Sequence, residues 1–405
     1  MRRASCFRVA WPGLLAVAAA EGARRLLTPR APVPAPVAVR PEDHFSAAEI
    51  ARARAYARPQ LALALARSAL DAATLARLVR HPPGARRRSA SRPLLGGAAT
   101  AVGLSTALTL QALPLRAISR RRARAAGLDT QSWRAWAEDL AKATAIQTGF
   151  AAAAGAAAVH ATRRWPRGWW LAGAAGSVAF GTGLAALAPV LLDPIFNDFK
   201  PLPEGQTRGD VLALAQAAGV AVREVYSVDA SRRTTAANAY VTGIGPSRRV
   251  VLFDTLLEGF DRDQIRLVVA HELAHVRHRD VPRSIAYAAC VAPVAALAAQ
   301  RLSWELSDER GTPGALPALG LATAIVGFPV GVIGSRLSRA VERSADHFAL
   351  TLAGAPDAFI SFEREIALRN VADLDPPRWV SVLLASHPPT AERIGAALAF
   401  KQRGC

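Results

Sequence analysis

The feature that most constrains this chain is a set of uncharged, apolar runs about 20 residues long. Runs of that length match the roughly 30 Å hydrocarbon core of a bilayer, so they predict membrane-spanning helices and exclude an ordinary soluble enzyme. An apolar content of 51% also excludes a disordered chain. The clearest predicted spans are residues 94–115, 143–161, 168–192, 284–300 and 315–334.

Two N-terminal segments give a weaker signal for a span, and residues 143–161 are the weakest of the clear spans. Residues 9–20 follow three arginines and end in small residues, a pattern that fits either a signal peptide or a short first span. Residues 60–79 are helical in pattern but carry three charges, so they would span only with protein around those charges. Residues 143–161 are rich in alanine and contain a glutamine and a histidine.

The predicted spans divide the chain into five segments, and two of them are water-facing blocks. Since two spans separate these blocks, both lie on one side of the membrane and can build one site. The segments are a signal-like or first transmembrane segment (1–23), an N-terminal membrane region (24–192, with helices near 60–79, 94–115, 143–161 and 168–192), the first water-facing block (193–282), two transmembrane helices (283–334) and the second block (335–405).

We interpret the net charge of +19 as a property of the loops of a membrane protein. It favours basic loops that face the cytoplasm and anionic lipid over a nucleic-acid partner. The arginine-rich loop 116–142 shares the side of the two water-facing blocks, which predicts that this side is cytoplasmic. Arginines at 86–88 and 163–167 would then lie on the opposite side, against the general bias. The preference for arginine and alanine over lysine is typical of a GC-rich bacterial genome, so we expect a bacterial inner (plasma) membrane.

The three cysteines do not explain any metal chemistry. Cys6, Cys290 and Cys405 are odd in number and far apart, which excludes a disulfide framework and does not suggest a metal cluster.

The strongest chemical signal is the sequence His271-Glu272-Leu273-Ala274-His275. On a helix, positions i and i+4 share a face, so both imidazoles can bind one metal ion. Glu272 then lies beside them as a general base for the water that the metal activates. The motif predicts a metallohydrolase site with one Zn²⁺ per chain.

A catalytic zinc site needs three protein ligands and one open position. Glu342 and Asp346, four residues apart in a predicted helix of the second block, supply the missing groups. Glu342 is the predicted third ligand. Asp346 is predicted to accept the outer N–H of a ligand histidine and so to fix its tautomer.

Four further polar residues are interpreted from their positions in the sequence. His387 lies in a turn before a predicted helix near residue 390, where it can stabilise an oxyanion or cap the open metal position. Arg339 can contact a substrate carbonyl or pair with a carboxylate. His278 and His347 are interpreted as structural.

These motifs together resemble the integral-membrane CAAX prenyl protease (type I) family of zinc metalloendopeptidases, in its bacterial branch. The resemblance covers nearly the whole chain, and the motifs are specific in combination. Beyond the zinc motif, which continues to Asp280, it rests on the segments Asp43–Ser46, Arg54–Tyr56, Pro194–Asn197, Phe199–Gly205, Val228–Arg233, Asn238–Tyr240, Val250–Leu257, Arg339–Asp346 and His387-Pro388.

The resemblance implies an all-α polytopic membrane protein of about seven transmembrane helices that form a chambered barrel, with a gluzincin-type zinc protease domain containing a small β-sheet. Seven spans require both ambiguous N-terminal segments to cross. The resemblance carries the zinc ligands to His271, His275 and Glu342 and the general base to Glu272. It also carries substrate binding to an edge strand at Asn238, Ala239 and Tyr240. Residues 236–242 alternate like a short strand, to whose edge a peptide can add through backbone hydrogen bonds.

Two alternatives remain open from the sequence. One is a quality-control protease of the HtpX type, which shares the zinc motif and the later glutamate. The other is a membrane scaffold or transporter with a structural zinc site. The expected partners are a peptide or protein substrate, which can itself be membrane-associated, and membrane lipids; no nucleic acid is expected. The natural substrate and the oligomeric state stay undetermined.

Overall fold

The structure, a computed structural model, describes residues 2–81, 92–243, 245 and 248–403. These residues form fourteen α-helices and one four-stranded sheet. The helices are α1 (Arg2–Leu27), α2 (Ala47–Arg80), α3 (Pro93–Ala125), α4 (Trp133–Arg164), α5 (Trp169–Leu191), α6 (Asp193–Phe196), α7 (Gln206–Ala217), α8 (Asp254–Gly259), α9 (Arg262–Arg277), α10 (Asp280–Leu306), α11 (Leu316–Ala353), α12 (Pro356–Arg369), α13 (Arg378–Leu383) and α14 (Thr390–Gln402). The strands are β1 (Phe199–Pro201), β2 (Glu224–Val228), β3 (Ala239–Thr242) and β4 (Arg249–Phe253).

Four of the described helices are long and apolar enough to cross a membrane: α3, α5, α10 and α11. They contain four of the five clearest predicted spans. The fifth, residues 143–161, is helical within α4, but α4 is not among the helices that are apolar enough by this criterion. That α1, α2 and α4 also cross the membrane stays a prediction.

Small residues let the long helices pack closely. Where α3 meets α4, a Cβ on Gly155 would lie 2.5 Å from the carbonyl oxygen of Gly97, so no larger residue fits without a shift. The helix α1 packs against α10 and α11 through buried alanines, among them Ala16 and Ala20. The segment predicted as a signal or first span is therefore packed into the helical bundle of this structure.

Two of the three charges in residues 60–79 have partners. Asp71 accepts a hydrogen bond of 2.7 Å from Nε2 of Gln111 on α3, and Thr74 donates to the same amide at 2.6 Å. Arg67 lies 3.9 Å from Asp71. The third charge, on Arg77, is exposed, so whether protein surrounds the charges of this segment stays a prediction.

The sheet has the order β1-β2-β4-β3, with β2 and β4 parallel and the outer pairs antiparallel. Its core-facing residues, such as Val250 and Leu252, pack against Val269 and Leu273 of α9. The strand expected at residues 236–242 begins later, at Ala239. Among the described strands β3 pairs only with β4, so its other edge is open.

Two long helices join the apolar helical bundle to the part of the chain that contains the sheet and α9. The predicted boundary between residues 334 and 335 lies inside α11, which continues without a break to Ala353. The helix α10 begins at Asp280, after Arg279 takes a left-handed conformation (φ 57°) that separates it from α9. Asp280 on α10, and Glu342 and Asp346 on α11, therefore sit on helices that extend directly into the apolar bundle.

Candidate metal centre

The helix α9 is fixed at its start and along one face. Asp261 accepts the backbone N–H of Gln264, and the Gln264 side chain accepts the N–H of Asp261, each at 2.9 Å. Val269 and Leu273 are fully buried against the sheet. This packing turns the polar face of α9, with its two histidines one turn apart, toward α11.

The two histidines of α9 and Glu342 of α11 form a compact group of ligand atoms. The Nε2 atoms of His271 and His275 lie 3.2 Å apart, and carboxylate oxygens of Glu342 lie 3.4 Å and 3.7 Å from them. Tetrahedral zinc with bonds of about 2.0–2.1 Å places its ligand atoms about 3.3 Å apart. The donor set and its spacing therefore fit a zinc ion, and the structure brings together the three ligands expected from the sequence.

Each ligand histidine has a separate carboxylate behind it. The Nδ1 of His271 lies 2.9 Å from Asp346, and the Nδ1 of His275 lies 2.9 Å from Asp280. A carboxylate at Nδ1 holds the proton there and leaves Nε2 free to bind a metal ion. Asp346 thus lies beside the outer nitrogen of His271, as expected, but without the geometry of a regular hydrogen bond. Asp280, to which no role was assigned from the sequence, is hydrogen-bonded to His275.

The carboxylate of Asp346 is held in turn by a buried arginine. Arg393 of α14 donates to both of its oxygens, at 2.5 Å and 2.9 Å, and its remaining nitrogen lies 2.7 Å from Glu363 of α12. Burial, and then the charge of Asp346, raise the pKa of Glu363 to about 7, although Arg393 opposes the shift. The sequence analysis missed Arg393 and Glu363, because contacts between distant helices leave no local pattern.

Glu272 lies next to the ligand histidines in a shielded environment. Burial raises the pKa of its carboxyl above the usual value, with the neighbouring histidines acting in the opposite direction. A carboxyl with a raised pKa is better suited to take and return a proton near neutral pH.

His387 faces the same cluster from the other side. Its Nε2 lies 3.5 Å from Glu342, its Nδ1 lies 3.0 Å from the hydroxyl of Ser386, and its side chain is 64% exposed. Arg339 does not point to an open position. Its guanidinium donates to the backbone carbonyls of Ala385 and Val382, in the segment that leads to His387.

The edge strand carries the three residues expected to contact substrate. Asn238 is exposed, and its carbonyl accepts the N–H of Phe253 at 3.1 Å. Ala239 is buried in the core beneath the sheet. Burial, and then the carboxylate of Asp193, raise the pKa of Tyr240 to about 12. The side chain of Tyr240 is thus engaged within the protein, whereas the backbone of β3 is free along one edge.

The two remaining histidines have structural surroundings. The ring of His278 packs on Phe348, and its Nδ1 lies 3.4 Å from the hydroxyl of Ser344. His347 packs against Phe400 on the other face of α11. These contacts agree with the structural interpretation of both.

Two family sequence models match the chain. The model described as "Peptidase family M48" matches residues 201–401, which contain the metal cluster. The model described as "CAAX prenyl protease N-terminal, five membrane helices" matches residues 24–198.

Several known proteins are similar to the chain. It is 30% identical over 300 residues to an uncharacterized metalloprotease, YhfN, of Bacillus subtilis, a match that covers 72% of this chain and 70% of that protein. A CAAX prenyl protease 1 homolog of Oryza sativa is 29% identical over 228 residues, which are 53% of this chain and about half (52%) of that protein. A protease HtpX homolog of Ralstonia pickettii is 31% identical over 214 residues, or 48% of this chain and 73% of that protein.

A solved structure with the same fold is that of Ste24p. The crystal structure of Ste24p from S. mikatae superposes with a TM-score of 0.74 over 97% of both chains, at 19% sequence identity.

Proposed function

This chain belongs to peptidase family M48 and is a multi-pass membrane metalloendopeptidase; from that premise we propose that it cleaves peptides at one zinc ion held by His271, His275 and Glu342. The observation that carries the proposal is the agreement between the spacing of these ligand atoms and tetrahedral zinc. Three protein ligands leave one position for water or substrate, as in catalytic sites, whereas a structural site is usually closed by four.

The residues around the cluster divide the chemistry between them. When bound, zinc supplies Lewis acidity that polarises a peptide carbonyl and activates water. Glu272 takes the proton of the attacking water and returns it to the leaving amine. The Nε2 of His387 donates to the oxygen that becomes negative in the transition state. Asp280 and Asp346 keep the ligand histidines in the tautomer that binds the metal.

The open edge of β3 is the proposed place for the substrate backbone. A peptide in extended form adds to Ala239–Thr242 through main-chain hydrogen bonds, which accept many side chains. The strand packs on α9, so the bound peptide runs beside the ligand histidines. We assign Asn238, exposed at the start of this edge, to contact with substrate.

The architecture favours the CAAX protease type over the HtpX type. The five-helix model covers the N-terminal membrane region, and the Ste24p fold extends over 97% of the chain, whereas the HtpX homolog aligns with 48%. The substrate does not follow from the fold. We infer a peptide segment of a membrane-associated protein, and a site on the cytoplasmic side of a bacterial plasma membrane, as the arginines of residues 116–142 favour.

The test compares cleavage of a mixed peptide library by the wild type and by Glu272→Gln, both zinc-loaded. New peptide termini, detected by mass spectrometry, are expected from the wild type, and their yield should fall by about 10²–10⁴-fold in the variant. Glu258→Gln, at an exposed glutamate of the same domain, serves as the control and should cleave normally. Equal cleavage by Glu272→Gln with zinc retained would exclude Glu272 as the base.

A further inference from the structure

A cavity lined by basic residues lies far from the metal cluster. It has a volume of about 770 Å³ and opens between the turn that joins α4 to α5 and the loop that joins α10 to α11. Volumes of this size accommodate small organic ligands or head groups. Arg163, Arg167, Arg301 and Arg310 line it, with Glu309 as the single acidic residue of the lining.

The position of this cavity relative to the bilayer follows from helix length. Asp280, beside the metal cluster, and Arg301, beside the cavity, are both on α10 and are separated by about 32 Å of helix at 1.5 Å per residue. That distance matches the roughly 30 Å hydrocarbon core of a membrane. The cavity therefore lies at the opposite membrane interface from the metal cluster.

Two tryptophans also place the cavity at the membrane interface. Trp169 and Trp304 line the cavity, and tryptophan is enriched where lipid head groups meet the hydrocarbon core. Arg301 and Arg310 both lie over the ring of Trp304, at 5.4 Å and 4.8 Å from its centroid. The two like charges are thus held within about 10 Å of each other, about one Debye length at 0.1 M salt.

The charges that line the cavity are unbalanced. Its lining holds four guanidinium groups against one carboxylate, that of Glu309. The carboxylate of Glu309 accepts a hydrogen bond of 2.8 Å from Thr312. The cavity therefore carries an excess of positive charge that an anion would balance, and planar guanidinium groups match the oxygens of a phosphate.

We propose that this cavity binds the phosphate of an anionic phospholipid head group from the leaflet opposite the metal cluster. Its depth at the interface, its tryptophans and its four guanidinium groups all suit a phosphodiester whose acyl chains stay in the bilayer. The proposal also accounts for Arg163 and Arg167, whose side of the membrane the general charge bias does not explain. They bind lipid on that side instead of setting the topology.

The test measures lipid binding by native mass spectrometry of the full chain in a nonionic detergent. Dioctanoyl phosphatidylglycerol should bind the wild type at least about tenfold more tightly than dioctanoyl phosphatidylcholine. It should bind the double variant Arg301→Gln/Arg310→Gln at least about tenfold more weakly. The matched control is Arg80→Gln/Arg164→Gln, which removes two exposed charges that do not line the cavity; it should bind like the wild type.

The proposal is wrong if the two lipids bind equally, if the double variant binds lipid like the wild type, or if the control variant loses as much binding as the double variant.

Inorganic phosphate is titrated separately. If it displaces the lipid at equal concentration, with the same dependence on Arg301 and Arg310, the site takes free phosphate and the lipid assignment is wrong. The double variant can also be less stable, which a lower melting temperature without lipid would show. In that case the single variant Arg310→Gln, which changes only the loop between α10 and α11, is used in its place. Weaker lipid binding by Arg310→Gln then supports the proposal, and unchanged lipid binding overturns it.

Discussion

At the scale of single residues, the metal cluster depends on what lies behind its ligands. The Nδ1 atoms of His271 and His275 each face one carboxylate at 2.9 Å. Removing that carboxylate leaves the three ligands in place but frees the ring to rotate or to move its proton to Nε2. The cost should therefore appear in metal affinity before it appears in the fold.

We predict that Asp280→Asn and Asp346→Asn each weaken zinc binding by about 10–100-fold. The measurement is competition for zinc with a chelator of known affinity, on the purified protein. Asp263→Asn, an exposed residue at the start of α9, is the control and should hold zinc like the wild type. A wild-type zinc affinity in Asp280→Asn would show that His275 needs no partner at Nδ1.

Arg339 acts on the segment before His387 and should affect catalysis without affecting the metal. Its guanidinium donates to two carbonyls of that segment, Val382 and Ala385. In Arg339→Gln the segment loosens and His387 leaves its position near Glu342, and a displacement of about 1 Å costs up to about 10²-fold in rate. Steady-state kinetics should show a lower kcat with unchanged zinc content.

The control for this experiment is Arg336→Gln, an exposed arginine one turn earlier on α11, which should leave kcat unchanged. If zinc content falls together with kcat in Arg339→Gln, the arginine supports the metal cluster itself, contrary to the prediction.

At the scale of elements, the sequence predicts what is local. The zinc motif predicts α9, and the spacing of Glu342 and Asp346 predicts that they share one face of a helix. Both predictions succeed because helical periodicity can be detected from residues close together in the sequence. The contact of Asp280 with His275 could not be predicted in this way, since it depends on the left-handed turn at Arg279. The contact of Arg393 with Asp346 could not be predicted for another reason: the two residues lie on different helices and are 47 residues apart in sequence.

The packing of α12 on α14 should depend on pH through Glu363. Its folded pKa of about 7 lies above the ordinary value of 4.5, so the protonated form favours folding. This contribution is fully present below about pH 4.5 and is lost as the pH rises through about 7. The wild-type melting temperature should thus fall between pH 5 and pH 8.

Glu363→Gln is uncharged at every pH and should flatten that slope. Thermal melts in detergent at several pH values compare it with the wild type and with Glu204→Gln, a change at an exposed glutamate that should keep the slope. A slope in Glu363→Gln as steep as in the wild type would assign the pH dependence to other groups.

At the scale of the whole molecule, the division into membrane and water-facing parts was predictable, but the joints between them were not. Hydropathy locates the four apolar helices. It places a boundary after residue 334 because the polar residues begin there, yet α11 continues to Ala353 since a helix does not end where its surroundings change. Alanine-rich α4 shows the opposite limit: it forms a long helix whose hydropathy does not reveal whether it spans.

The arrangement of α10 and α11 predicts on which side each loop lies. Both helices are long enough to cross, so the loop between them lies opposite the metal cluster. The native cysteines are first replaced by serine. A single cysteine at Asp308 should then react with an impermeant maleimide on intact cells, whereas one at Glu204 should react only after permeabilisation. Both positions are exposed, and a permeant maleimide verifies that each can react. The reversed result would place the metal cluster outside the cytoplasm. Labelling of both positions in intact cells would contradict the crossing of α10 and α11, because two crossings that form a hairpin must separate its loop from its ends.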